Sequence, residues 1–319
     1  MDLDLAQTRA FVVTAEELHF GRAAERLFLT QQALSKRIAR LEDTLGVRLF
    51  LRGRHSVDLT EAGHRFLEPA RKALTAADLA VTAARHEERP LRIDVWGHLY
   101  SPLRTVRNVI DLLPKLGVEL GFSRDLPAAI NSLSRAEIDV GFGRVHPTGD
   151  PREDALTHRL SRLEPLDAVL STDHPLAGAA ELRPADLRDS VLWGPALDRL
   201  DFLKRFAEHF AIPTESGGVN LGLDHFLDHV RTDPRRFSLL PADSSLPDGA
   251  GVRAIPLTGP TPLYAWSLMW RTQDQHPLLG VLLREFAETA SRRRWLDYSP
   301  ERDWLSDADH AEFLSRRSR

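Results

Sequence analysis

Apolar positions in the first part of the chain keep a helical period, whereas those beyond residue 90 switch between helical and strand-like runs. Leu5, Thr8, Phe11, Val12, Ala15 and Leu18 recur on one helix face and predict an amphipathic helix ending near His19-Phe20-Gly21. A second, short helix carries Ala23, Ala24 and Leu27, and its two alanines leave room for a close neighbour. After the tight connection Phe28-Leu29-Thr30, Thr30 is placed to cap a third helix from Gln31 to about Leu45, which Gly46 ends. Leu34, Ile38, Leu41 and Leu45 form its inward stripe. Val47 to Arg52 and His55 to Leu59 read as short strands around Gly53-Arg54. Helix, turn, helix and basic-tipped hairpin together describe a winged helix-turn-helix. Thr60 then caps a long helix reaching about His86. Its apolar face, Phe66, Leu67, Ala70, Leu74, Ala77, Val81 and Ala84, outruns the domain available to cover it and predicts a partner helix, hence self-association.

Beyond Glu87-Glu88-Arg89-Pro90, strand-like runs at Leu91 to Trp96, Val118 to Phe122 and Ile138 to Val145 enclose helical runs at Pro102 to Leu113 and Leu126 to Glu137. This βαβαβ series implies parallel strands with crossover helices. A second series passes through Leu166 to Leu170, Ser190 to Trp193 and Phe237 to Pro241, and is closed by a strand from Leu263 to Trp270 and a helix from about Pro277 to Ala290. Two similar α/β lobes are expected. Open α/β sheets bind ligands outside the carboxyl ends of their strands. The candidate contacts there are His98, Tyr100 and Ser101 after the first strand, Ser123 and Arg124 after the second, and Trp193 and Asn220 in the second lobe. Hydroxyls, a cation and helix-start amides suit a small carboxylate, and the three rings suit an aromatic portion. Plainer roles compete: Ser101 as a helix cap, Arg124 as a partner for nearby acids, Trp193 as core.

Composition narrows the chemistry. The 319 residues include no cysteine, which excludes disulfides, thiol nucleophiles, Cys-ligated zinc and thiol redox sensing. The formal net charge is −4, yet between Arg22 and Arg54 eight bases face three acids. A basic patch on an acidic chain marks a polyanion-binding module. The acidic start, without a basic and then apolar leader, and the lack of any apolar run of about 18 residues point to a cytoplasmic protein with no membrane partner. On the third helix the outward side carries Gln32, Lys36 and Asp43, flanked by Gln31 and Ser35, groups that read base edges and grip phosphates. His225, Asp228 and His229 are spaced for a metal, but a charged surface helix explains them as well, and Phe226 stands where a zinc protease needs its glutamate. Gly141-Phe142-Gly143 lacks the third glycine of a dinucleotide loop. No catalytic set or cofactor loop assembles, so an enzyme is not expected.

Phe20-Gly21-Arg22-Ala23-Ala24-Glu25-Arg26-Leu27, Thr30 to Ile38, Leu41 to Phe50 and Leu59-Thr60-Glu61-Ala62-Gly63 resemble, in unbroken order, the DNA-binding domain of LysR-type transcriptional regulators. The resemblance implies that Gln31, Gln32 and Ala33 read bases, that Ser35 and Lys36 touch DNA, and that Arg52 and Arg54 serve the wing. With Arg22, Thr30, Arg37 and Arg40 these complete the expected contact set. His55, Ser56 and Asp58 stand where family members often carry more bases, which predicts a weaker wing grip. The implied architecture is multidomain: a winged helix-turn-helix over 1–59, a linker helix over 60–89, and a two-lobed effector domain like a type II periplasmic binding protein over 90–294. Lobe I spans about 91–163 and 266–292, and lobe II about 164–265. A tail follows over 295–319, where Trp295, Tyr298, Trp304, Leu305, Phe313 and Leu314 suggest docking on the protein's own surface or on a partner, with disorder as the alternative. The implied partners are double-stranded promoter DNA, a small-molecule effector such as a carboxylate or aromatic acid, further copies in a dimer or tetramer, and RNA polymerase if transcription is activated. The competing expectation is a solute-binding protein whose N-terminal segment mediates assembly.

Overall fold

The computed structural model describes residues 3–52, 57–85, 89–97, 102–114, 116–195, 197, 200–218, 221–247, 249–273 and 275–317. They fall into two compact units, residues 1–87 and 88–319. In the first, α1 (Leu5–Glu17) is capped by Asp4, whose carboxylate accepts from the Gln7 N–H at 2.9 Å. The imidazole of His19 accepts from the Gly21 and Arg22 N–H groups and so opens α2 (Phe20–Arg26). Thr30 Oγ1 accepts from the Ala33 N–H to start α3 (Gln31–Leu45), which ends at Gly46 with φ +71°. Strands β1 (Phe50–Arg52) and β2 (Val57–Leu59) pair antiparallel, Phe50 opposite Leu59. The expected strand from Val47 begins three residues later, because the Leu49 and Phe50 N–H groups donate to the buried Glu42 carboxylate.

Phe11 is the centre of this unit's core, its ring 5.3 Å from Phe50 and 5.1 Å from Phe66, with Leu34, Ile38 and Leu41 sealed beneath it. The predicted end residues of the α1 face, Leu5 and Leu18, are exposed instead. The long helix α4 (Glu61–Arg85) enters so close to the segment before β1 that a Cβ on Gly63 would lie 2.3 Å from the Leu49 carbonyl oxygen, which requires glycine there. Ala70 and Leu74 of α4 are buried, whereas Val81 farther along is exposed.

The second unit begins with β3 (Leu91–Val95), α5 (Pro102–Ile110), β4 (Val118–Phe122), α6 (Leu126–Ser134) and β5 (Val140–Gly143), the three strands parallel in the order β4-β3-β5. Gly141 and Gly143 serve packing rather than nucleotide binding. The Trp96 indole lies flat on β5, and a Cβ on either glycine would come within 2.9 Å or 2.0 Å of its ring. The next strand, β6 (Leu156–Ser171), is common to both lobes. Its first ten residues pair with β11 (Thr261–Arg271), and its last six with β9 (Arg236–Pro241) and β10 (Val252–Pro256). Sequence periodicity finds only its second half, since His158, Arg159, Arg162 and Glu164 break the apolar run. Arg162 and Glu164 are buried as a pair, 2.7 Å apart. Lobe II adds β7 (Val191–Pro195), α7 (Asp201–Phe210), β8 (Thr214–Gly217) and α8 (Leu223–Thr232), giving the sheet β10-β6-β9-β7-β8. The chain then returns to lobe I through β11 and α9 (Leu279–Arg292). At the foot of lobe I, burial works against the Asp139 carboxylate, but hydrogen bonds from Arg89 and Arg92 overcome it and hold it at about 2.

Residues from Trp295 onward fold back on this unit. Strand β12 (Asp303–Trp304) pairs parallel with the start of β11, and α10 (Asp307–Arg317) follows. Trp295, Trp304, Leu305 and Phe313 are buried. Of the three expectations for the tail, docking on the protein's own surface is the one observed for its described residues. Among the described residues, no helix is long and apolar enough to cross a membrane.

Candidate functional site

The polar residues of α3 divide into an exposed edge and one buried anchor. Gln31, Gln32, Lys36 and Arg40 are exposed, and Ala33, Ser35 and Arg37 half-exposed, while Leu34, Ile38 and Leu41 hold the back of the helix. Thr30 is exposed and spends its hydroxyl on the cap. The first turns therefore present two amides, a hydroxyl and a cation together, a set that fits base edges and phosphates of a major groove. Arg22 is exposed and donates to the Glu17 carbonyl at 2.6 Å and its carboxylate at 3.4 Å. Arg52 ends β1, and Arg54 lies outside the described residues.

Sequence reasoning counted Glu42 only as a negative charge. Its carboxylate is buried, accepts from the Leu49 and Phe50 N–H groups at 2.8 and 3.2 Å, and pairs with Arg48 at 2.8 Å. It therefore fixes the approach to the wing relative to the recognition helix. Its place at Leu41+1, beside the buried stripe, was the available signal.

The expected effector contacts fare unevenly. His98, Tyr100, Ser101 and Asn220 lie outside the described residues. Ser123 is buried and donates to Asp94 Oδ2 at 2.8 Å, linking the ends of β3 and β4. Arg124 is 86 % exposed and pairs with Asp125, the cap of α6. Trp193 corrects the expectation of a ligand contact. It is 1 % exposed, with its indole over Gly217 and stacked 4.8 Å from the His229 ring, so it is a core side chain of lobe II. His225 meets His229 at 3.2 Å, but Asp228 pairs with Arg231, and among the described residues no group of three or more donors could hold a metal ion.

What the structure does bring together is a junction between the lobes built from distant residues. Arg104 of α5 donates to the Asp243 carbonyl and carboxylate after β9, and Arg162 bridges Glu164 and Asp243. Trp266 Nε1 donates to Glu164 at 2.6 Å. Burial pushes the Glu164 carboxyl up to about 7, with Arg162 opposing. A second bridge centres on Arg144, immediately after β5, which pairs with Asp201 at the start of α7 and with Asp309 of α10, both at 2.9 Å. Beside it, at the carboxyl end of β5, a cavity of about 400 Å³ has Leu126, Ile130 and Met269 on its apolar side and His146, His158 and Glu312 on its polar side. Burial and the Arg144 charge hold the His146 imidazole below its ordinary range.

A winged helix-turn-helix with an exposed polar edge on α3, joined in one chain to a two-lobed α/β unit, is an architecture of DNA-binding regulators. Residues 5–64 match the model of the bacterial regulatory helix-turn-helix proteins of the lysR family. BenM of Acinetobacter baylyi (strain ATCC 33305 / BD413 / ADP1), a transcriptional regulator, is 30 % identical over 282 residues, 82 % of this chain and 89 % of that protein. YnfL of Escherichia coli (strain K12) is 36 % identical over 203 residues; the alignment takes in 59 % of this chain and 64 % of YnfL, so the chain spans just under two thirds of that relative. Full-length BenM superposes with a TM-score of 0.53 at 26 % identity, covering 93 % of this chain and all of that one. CbnR, solved as the full-length protein with its target DNA, gives the same TM-score at 23 % identity over 90 % of this chain and all of that one, a likeness of fold. The chain belongs to the LysR family of DNA-binding transcriptional regulators. Membership sets aside the alternative of a solute-binding protein with an assembly module, and the relatives matched are regulators rather than enzymes.

Proposed function

We propose that this protein binds double-stranded promoter DNA as a dimer or tetramer through the α3 edge and the wing, and that a small carboxylate or aromatic acid at the lobe junction controls that binding. The observation that carries the DNA reading is the division of α3, with amides and cations outward and Leu34, Ile38 and Leu41 sealed. The exposed Val81 on α4 supports self-association, which would set two α3 helices against two half-sites of an inverted repeat. Gln31, Gln32 and Ala33 would read bases, while Ser35, Lys36, Arg37, Arg40, Arg22, Thr30 and the wing arginines Arg52 and Arg54 would hold phosphates. RNA polymerase is the further partner if the outcome is activation.

The effector reading is supported by the two ionic bridges between lobes and by the cavity at the end of β5. A ligand shifts DNA binding only by preferring one lobe arrangement over another. Ser123 and Arg124 remain candidate contacts, and His98, Tyr100, Ser101 and Asn220 are candidates from the sequence alone. Fluorescence-anisotropy titration of the full chain on promoter fragments, repeated across salt concentrations, tests the core of the proposal. Log affinity should fall linearly with log salt. Equal, negligible binding at every salt concentration overturns it.

A further inference from the structure

The C-terminal segment packs on α7 of lobe II, on the adjacent strands β6 and β11, and at the end of β5. Trp304 lies against the rings of Phe202, Phe206 and Phe210 on α7 of lobe II, with centroids 5.5 to 5.7 Å apart. Leu305 and Phe313 pack on Leu160, Leu163, Leu263 and Ala265 of β6 and β11. Between them the Asp309 carboxylate, 1 % exposed, meets the Arg144 guanidinium, 4 % exposed, at the carboxyl end of a lobe I strand. Ser306 Oγ donates to the same carboxylate at 2.7 Å and accepts from Arg144 at 3.3 Å. The other arm of the guanidinium holds Asp201, the first residue of α7, and its Nε–H has no hydrogen-bond partner among the described residues.

A buried guanidinium between two lobes, at the carboxyl end of a sheet strand, has the chemistry of a receptor for a small carboxylate. Here the chain supplies that carboxylate itself. We propose that residues 295–317 act as an internal ligand of the effector unit. Asp309 fills a carboxylate seat on Arg144, and a free small carboxylate reaches the seat only when α10 gives it up. This deepens the effector reading above and rests on it for its regulatory meaning, but the seat itself is testable without any effector or DNA.

The test is chemical rescue in the full-length chain. Asp309→Ala should lower the thermal midpoint by several degrees, since it leaves Arg144 buried with one carboxylate fewer. Added formate or acetate should restore part of that loss, relative to chloride at equal ionic strength. Wild type and the Arg144→Gln/Asp309→Ala double variant should show no such gain. Absence of rescue in the single variant, or an equal gain in all three proteins, overturns the seat while leaving the DNA reading untouched. Should Asp309→Ala not fold, the near-isosteric Asp309→Asn takes its place with hydrogen exchange as the readout. The amides of α10 and the first turn of α7 should then exchange about tenfold faster, as expected when a local tie is released. Unchanged exchange in both elements counts against the proposal.

Discussion

The edge of α3 and the lobe junction are both polar, both rich in arginine or lysine, and built on opposite terms. The edge is one continuous stretch of chain whose side chains face outward, so its groups contribute little to folding and are free for a partner. The junction draws Arg104, Arg144, Arg162, Glu164, Asp201, Asp243 and Asp309 from six separate places in the chain and buries most of them in mutual contact. Charge in the first region stays exposed, and charge in the second is a structural tie. Substitutions should therefore separate the two: buried polar residues lose stability, exposed ones lose recognition alone.

Glu42 provides the severest test because it belongs to α3 yet is buried. Glu42→Ala leaves two N–H groups and Arg48 without their acceptor, and urea denaturation should show a loss of about 3 to 5 kcal/mol. DNA affinity should fall with it, since the wing approach loses its tie to the helix. Next comes pH. The Glu164 carboxyl, ordinarily near 4.5, is pushed up to about 7 in the folded protein. Between those values the folded chain keeps a proton that the unfolded chain has released. Stability from this group is thus complete below about pH 4.5 and is lost as pH rises through 7, by an amount on the order of 3 kcal/mol. Glu164→Gln should flatten that part of the stability profile; an unchanged slope would assign it to other groups.

On the exposed side, Gln32→Ala should erode discrimination between matched and mismatched sites by about 1 to 3 kcal/mol in competition gel shifts. Its unfolding free energy should stay within about 0.5 kcal/mol of wild type. The smallest expected effect is that of Lys36→Ala, which should weaken all duplexes alike and reduce the salt slope by about 1. A large stability loss in either variant would break the contrast between the regions.

The same contrast explains what could be read before any coordinates. Leu34, Ile38 and Leu41 define the back of α3 by spacing alone, and Thr30 and Gly46 mark its ends, so the helix and its exposed edge were legible. That β3, β4 and β5 run parallel followed from strands alternating with helices, whereas their order β4-β3-β5 did not. The first half of β6 did not, because its charges are neutralised by residues far along the chain, and local periodicity contains no record of distant partners. Arg144, Asp201 and Asp309 were invisible for that reason. Trp193 misled in the opposite direction: an indole is as apt for a pocket as for a core, and only the close approach of Gly217 decides between them.

Strand β6 runs without interruption from one lobe's sheet into the other. The lobes are consequently not two bodies swinging on loose tethers, since each shares backbone hydrogen bonds with the same ribbon. Rotation of one against the other must be taken up as torsion along that ribbon, within the range of twist its ladders accept. Such a connection behaves as a spring: it returns the domain to a set geometry and passes a push on either end to the other.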